Sequence, residues 1–241
     1  MLVKTKGIVI KKTKFSDSEV VVKIYTEEFG VQSFFVRGMK NKKSTIKYAF
    51  FQPLTMLNLV INFSKKKSLH SIKEIELWHN YQSVNYDMIK RTILFFVVEL
   101  LHKCLKEESE NKELFNWIHN APVWLDLNDD STINFHLVFM MQLSMFMGFF
   151  PINESKSDNF FFDLQEGKYC DQTPSHTNYV SGDIAKLVKI VSETKFEDSH
   201  NIKMNNSTRK RVLETLIAYY ELHLPSMGEF KSLEVLSVVL E

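Results

Sequence analysis

The residues of this chain best equipped for chemistry are cations without counter-ions. Between Phe29 and Lys73 there are nine basic side chains and not one Asp or Glu. The densest part, FFVRGMKNKKSTIKYAFFQP (34–53), carries Arg37, Lys40, Lys42, Lys43 and Lys47, and the triplet Lys65, Lys66 and Lys67 follows a short apolar stretch. Lys and Arg grouped this way suit a polyanion. Each phosphate they neutralise releases condensed counter-ions, which gives salt-dependent affinity with no preference for sequence. Lys11, Lys12 and Lys14 lie upstream and extend the same track. Phe34, Phe35, Phe50 and Phe51 are interleaved with the cations; at alternating strand positions about half should face a core, leaving the others to stack on bases. The competing reading is a solvated lysine-rich loop.

The charge is local. Residues 1–80 hold 15 basic and 6 acidic side chains, a balance of +9, whereas residues 81–241 hold 15 and 23, a balance of −8, so that the whole chain carries only +1. Such asymmetry suggests a basic binding module joined to a part with another task.

Other chemistries leave no trace. The 7 glycines form no phosphate-binding loop and there is no G-x-S-x-G elbow, so no enzyme is expected. His102 and Cys104 are two apart on a helical stretch and point different ways, and the apolar neighbours of Cys104 suit a structural thiol. His119, His136 and His223 are isolated, which assigns them to surface or satisfied-core positions. Cys170, Asp171 and His176 fall within seven positions, but a structural zinc site wants four soft ligands in two close pairs. A metal-free loop packed by Phe160, Phe161, Phe162 and Tyr169 is expected there. Two cysteines make no disulfide framework and fit a reducing compartment. Nothing resembles a signal peptide, and the apolar stretches TILFFVVELL and FHLVFMMQLSMFMGFF read as buried helices, so the expected address is the cytoplasm.

The elements that must position these residues change character near residue 80. Before it come five β-branched or alternating runs with turn residues between them, the size and composition of an OB-type β-barrel with basic loops. After it the apolar period becomes helical. Helices are expected over 86–108, over a KELFNWIHN segment ended or kinked by Pro122, over a nearly all-apolar STINFHLVFMMQLSMFMGFF opened by a Ser/Thr cap, and over two closing segments. The fold class is therefore α+β: an N-terminal five-stranded OB-type barrel at 1–80, then a helical bundle at 81–241 with an irregular insertion at about 152–181.

Four segments carry a resemblance. GIVIKKTKFSDSEVVVKIYTEEFG, VRGMKNKKS, FQPLTMLNL and AYYELHLPSMGEFKSLEVL are similar to the landmarks of the bacterial RecO family of recombination mediators. Gly7, Asp17–Ser18, Gly30, Arg37–Gly38, Pro53, Tyr220, Leu224–Pro225 and Lys231–Ser232 carry the likeness, in order over the whole chain. The resemblance implies an OB fold, a helical domain and often a four-cysteine zinc finger, of which only Cys170 remains here. It implies binding to single- and double-stranded DNA, annealing of complementary strands, binding of the acidic C-terminal tail of single-stranded-DNA-binding protein, and loading of RecA together with RecR, with no cofactor and with a place at the bacterial nucleoid. An acidic tail ending in apolar residues needs a hydrophobic slot with a basic rim. Arg209, Lys210 and Arg211, or Lys90 and Arg91, are the candidate rims. Two rival readings are an OB protein acting on RNA and a partner adaptor working mainly through its helices.

Overall fold

Alternation of apolar and polar residues organises the first 80 positions, as a half-buried sheet requires. The computed structural model describes residues 1–16, 19–37, 48–106, 108–130 and 132–240. Asp17, Ser18, Gly38, Lys40, Lys42, Lys43 and Lys47 therefore lie outside the described residues. Five antiparallel strands, β1 (Leu2–Lys14), β2 (Glu19–Thr26), β3 (Gly30–Arg37), β4 (Met56–Asn62) and β5 (Ser71–His79), form a sheet in the order β3-β2-β1-β4-β5. The two outer strands meet. A parallel bridge joins Phe34 to His70, with Phe35 N–H donating to His70 O and His70 N–H to Ser33 O, both at 2.9 Å. The circuit β1-β2-β3-β5-β4 is that of the OB-type barrel expected from the sequence. Val22, Ile24, Phe34, Phe51, Leu57 and Ile61, all wholly buried, form the centre of its core. Gly7 sits between β2 and β4, where an added Cβ would come within 2.5 Å of Ile24 Cγ2, so only glycine admits the close approach.

The helices follow: α1 (Met88–Cys104), α2 (Lys112–Leu127) and α3 (Phe135–Phe146). After α3 come β6 (Ile152–Asn153), β7 (Phe161–Asp163), β8 (Lys168–Cys170) and β9 (Tyr179–Ser181), then α4 (Gly182–Glu193), α5 (Asn206–His223) and α6 (Leu233–Val239). The chain divides into two compact units, Met1–Tyr86 with Val98–Asp126, and Asp87–Val97 with Leu127–Glu241. In the first, α2 lays Phe115 against Tyr25 and Trp78 on the outside of the barrel. It runs through Pro122 rather than ending there, because Ala121, Pro122, Leu125 and Asp126 are all buried and hold the last turn. The Asp126 carboxylate then accepts the backbone N–H groups of Gln82, Ser83 and Val84 at 2.8–2.9 Å, fixing the exit from β5.

In the second unit α3 is nearly all buried, the central helix its composition predicts. Its cap is Asn134, not the expected Ser/Thr, and the Asn134 side chain is used elsewhere. The insertion carries more order than its sequence period shows: β6 to β9 form a four-stranded sheet in the order β6-β8-β7-β9, packed by Phe160, Phe162 and Tyr169. Its turns are tied by carboxylates. Asp171 accepts bonds from Ser155 Oγ and from the Lys156 and Ser157 amides, and Asp163 accepts the Gln165 and Glu166 amides. Among the described residues no three His, Cys, Asp or Glu side chains are grouped to hold a metal ion.

Candidate nucleic-acid interface

On β1, β2 and β3 the inward residues fill the barrel and the outward ones form a face. Cross-strand pairing sets its rows: Glu19 opposes Arg37, Val21 opposes both Thr13 and Phe35, and Lys23 opposes both Lys11 and Ser33. At one corner Phe15, 70% exposed, meets Phe35 edge-on with ring centroids 5.7 Å apart. The Arg37 guanidinium lies over the Phe35 ring at 4.9 Å, and its Nε is 3.3 Å from Glu19 Oε1. An exposed aromatic pair beside a guanidinium is what a stacked base with its phosphate requires. Phe35 is the one of the four expected stackers that faces out. Phe34 and Phe51 are wholly buried and Phe50 packs against the barrel core. Phe15 was not foreseen; its signal in the sequence is a large aromatic placed directly before the polar triplet SDS.

The same corner opens on a groove of about 500 Å³ lined by Phe35, Arg37, Asn62, Lys67, Leu69 and His70. The 64–67 turn closes with Lys67 N–H donating to Ser64 O at 3.0 Å, and it leaves Lys65, Lys66 and Lys67 exposed. Beneath the groove His70 is buried, hydrogen-bonded to Gln32 and stacked on Phe63, and burial holds its pKa below the ordinary value. It enters as a neutral structural ring. Arg37 and Lys67 are therefore brought together with the aromatics. Lys12 is not on the same side as Lys11: it opposes the core residue Val22, whereas Lys11 opposes exposed Lys23.

The helical candidates separate. Lys90 is only 5% exposed, and its ammonium donates to Asn128 O at 2.6 Å, so it does not form a surface rim as the sequence suggested. Arg91 is exposed on α1. On α5 successive residues turn by about 100°, so Arg209, Lys210 and Arg211 diverge. Arg209 is buried and clamped by Asn134 Oδ1 at 2.9 Å and Asn206 Oδ1 at 2.6 Å. With Lys210 it borders a cavity of about 260 Å³ whose apolar walls are Leu213, Leu236 and Leu240. His136 also lines it. Contrary to the satisfied role assigned from sequence, neither of its ring nitrogens has a hydrogen-bond partner of normal geometry. Burial, reinforced by nearby Arg209, pushes its pKa down to about 3. Arg211 borders a different groove with Tyr179, Val180 and Ile184. Neither thiol is activated: burial pushes Cys104 up to about 12 and raises Cys170 as well.

Comparison with known proteins decides the family. Residues 1–81 match the sequence model described as recombination protein O N terminal, and residues 85–234 match recombination protein O C terminal. The chain belongs to the RecO family. Relatives of this RecO-family chain include proteins named DNA repair protein RecO from Phocaeicola vulgatus, 36% identical over 236 residues and covering 98% of both chains, and from Bacteroides fragilis, 35% identical over 242 residues and covering 100% of both. The Flavobacterium psychrophilum protein of the same name is 36% identical over 241 residues, with 99% of both chains covered. The RecO likeness thus spans barrel, helices and insertion alike. Among the described residues no helix is long and apolar enough to cross a membrane.

Proposed function

We propose that this RecO-family chain is a DNA-binding recombination mediator that anneals complementary strands and helps load RecA onto strands coated by single-stranded-DNA-binding protein. The observation that carries the reading is the corner where Phe15, Phe35 and Arg37 meet on an outward sheet face beside the Lys65–Lys67 turn. Unpaired bases stack on the two rings while Arg37 and the lysines take phosphates; neither contact is base-specific, and the phosphate contacts alone serve double strands. Lys40, Lys42, Lys43 and Lys47, in the acid-free segment that follows Arg37, extend the phosphate track, and Lys11, but not Lys12 on the other side of the strand, contributes from β1.

In this reading residues 1–80 are the nucleic-acid-binding domain, and residues 81–241, with the insertion at 152–181, are the partner domain. The cavity beside α5 takes the acidic, apolar-ended tail of single-stranded-DNA-binding protein: Leu213, Leu236 and Leu240 receive the apolar end, and Lys210 receives a carboxylate, while Arg209, already clamped, holds the wall. Arg91 and Arg211 are outer contacts for the acidic residues upstream, and RecR is the second partner. The protein works by binding rather than by covalent chemistry, and in the bacterial cytoplasm at the nucleoid.

The test is fluorescence anisotropy of a labelled single-stranded DNA titrated across salt. If about five of the named cations engage phosphates, log K against log salt should slope at roughly −3.5. Changing Lys40, Lys42 and Lys43 together to Glu should weaken binding and flatten the slope. Unchanged affinity in that variant and in a Lys65, Lys66 and Lys67 triple Glu variant would reduce both segments to solvated loops.

A further inference from the structure

The outward sheet face has a second end. Four residues along β2 from Glu19, roughly 13 Å away, Lys23 lies directly opposite Lys11 of β1. The pairing is the work of a β-bulge: the register shifts between Val9 and Lys11, so that Ile10 is extra and Lys11 lands on the face of Lys23 instead of facing inward. Both lysines are exposed, and among the described residues neither has a carboxylate within ion-pair distance. Like charges placed directly opposite each other weaken a ladder. The bulge thus sets two ammonium groups side by side on the outward face, where an anion could lie between them.

A third group completes the site. His102, in the last turn of α1, brings Nε2 to 2.9 Å from Lys11 Nζ. An ammonium only donates, so Nε2 accepts and the imidazole is neutral in this arrangement. The charged groups facing the ring are Lys11 from β1, Lys23 from β2, and Lys103 and Glu99 from its own helix, with Glu99 3.9 Å from Lys103. Burial first, then the three lysines, hold the His102 pKa below its ordinary value.

We infer that Lys11, Lys23 and His102 form a clamp for one phosphodiester of a nucleic-acid strand lying along this face, and that His102 gains a proton when the clamp is occupied. The phosphate takes the Lys11 and Lys23 ammoniums as donors and frees Nε2 from Lys11. Nε2 then binds a proton from solvent and donates it in a hydrogen bond to a phosphate oxygen, whose charge offsets the lysines that disfavoured the imidazolium. With Arg37 at the other end, the strand is gripped at two points and stacks on Phe35 between them and on Phe15 beside Arg37. The clamp rests on the nucleic-acid reading above and adds to it a proton-linked contact supplied by a helix.

The experiment uses a fluorescein-labelled oligothymidylate, anisotropy at pH 8 and pH 6, and a salt titration at each. Wild type, Lys11→Gln with Lys23→Gln, and His102→Gln are compared. Wild-type affinity should rise several-fold as pH falls, His102→Gln should lose most of that rise, and the double lysine variant should flatten the salt slope by roughly 1.4. The imidazole resonances of His102, followed by NMR, should titrate at higher pH when the oligonucleotide is bound. A pH response retained in His102→Gln, or a slope unchanged in the double variant, overturns the clamp while leaving the rest of the face intact. Absence of binding by the wild-type chain overturns both the clamp and the reading beneath it.

Discussion

Arg37 is held between Glu19 and Phe35: its Nε is 3.3 Å from the Glu19 carboxylate and its guanidinium covers the Phe35 ring. Glu19 thus places a negative charge at the centre of the corner proposed to receive phosphates. The pair is exposed, 76% on the Arg37 side, and such pairs contribute about 0–1 kcal/mol to stability. Glu19→Gln should therefore fold normally and bind single-stranded DNA more tightly, by roughly threefold at low salt. An anisotropy titration that shows equal or weaker binding removes Arg37 from the phosphate contacts.

The two aromatic positions make a paired prediction. Phe15 is mostly exposed, so Phe15→Ala should leave the melting temperature nearly unchanged and weaken DNA binding by about 1–2 kcal/mol, with the same salt slope. Phe34→Ala removes a wholly buried ring of the barrel core and should cost about 3–5 kcal/mol of stability. A flatter salt slope in Phe15→Ala would contradict a stacking role.

Asp126 ties the end of β5 to α2, and its titration links that tie to pH. Burial alone would raise its pKa, but the N–H bonds from Gln82, Val84 and Ser83 outweigh burial and hold it below the ordinary carboxylate value. A depressed folded pKa means that the stabilisation is present above the unfolded pKa near 3.8 and is lost as pH falls through the folded value. Asp126→Asn should cost roughly 2–4 kcal/mol at neutral pH, because an amide presents a donor where three backbone donors converge. Denaturant melts at pH 7 and pH 3 should show the difference between wild type and variant narrowing with acid. A constant difference would mean that Asp126 does not ionise within this network.

The insertion is held by carboxylates where a metal could otherwise serve. Asp171, fully exposed, binds Ser155 and the amides of Lys156 and Ser157, and these bonds hold its pKa down. Asp171→Ala should speed hydrogen exchange at the Lys156 and Ser157 amides without unfolding α4 or α5. Excess EDTA should leave the melting curve of the wild type in place. A chelator-induced shift would show that a metal stabilises this sheet after all.

How far the sequence speaks depends on how far apart the partners lie. The barrel strands are legible because Val20, Val22 and Ile24, or Leu57, Leu59 and Ile61, alternate locally, and α3 is legible because apolar residues surround it. The acid-free segment is legible as composition, although four of its nine cations fall outside the described residues. What local pattern cannot carry is partner choice. Lys90 looks like a surface cation until Asn128, 38 positions on, accepts its ammonium. Lys11 and Lys12 look equivalent until the bulge at Ile10 decides which of them faces out. His136 looks ordinary until the packing of its helix buries it wholly beside Arg209. The insertion hides its sheet because strands of two or three residues are too short to show a period.

The barrel is a ring with a clasp. Among the described residues four of its junctions are ladders of seven or eight paired residues, whereas β3 meets the residue before β5 at one bridge, Phe34 to His70, closed by two backbone bonds. The ring is held by the fewest backbone bonds at that clasp. The groove bearing Arg37, Lys67 and Leu69 runs beside it. On the proposed reading, a strand lying there would bridge both sides of the clasp. It would act as a sixth staple, so that the barrel is tightened by what it binds.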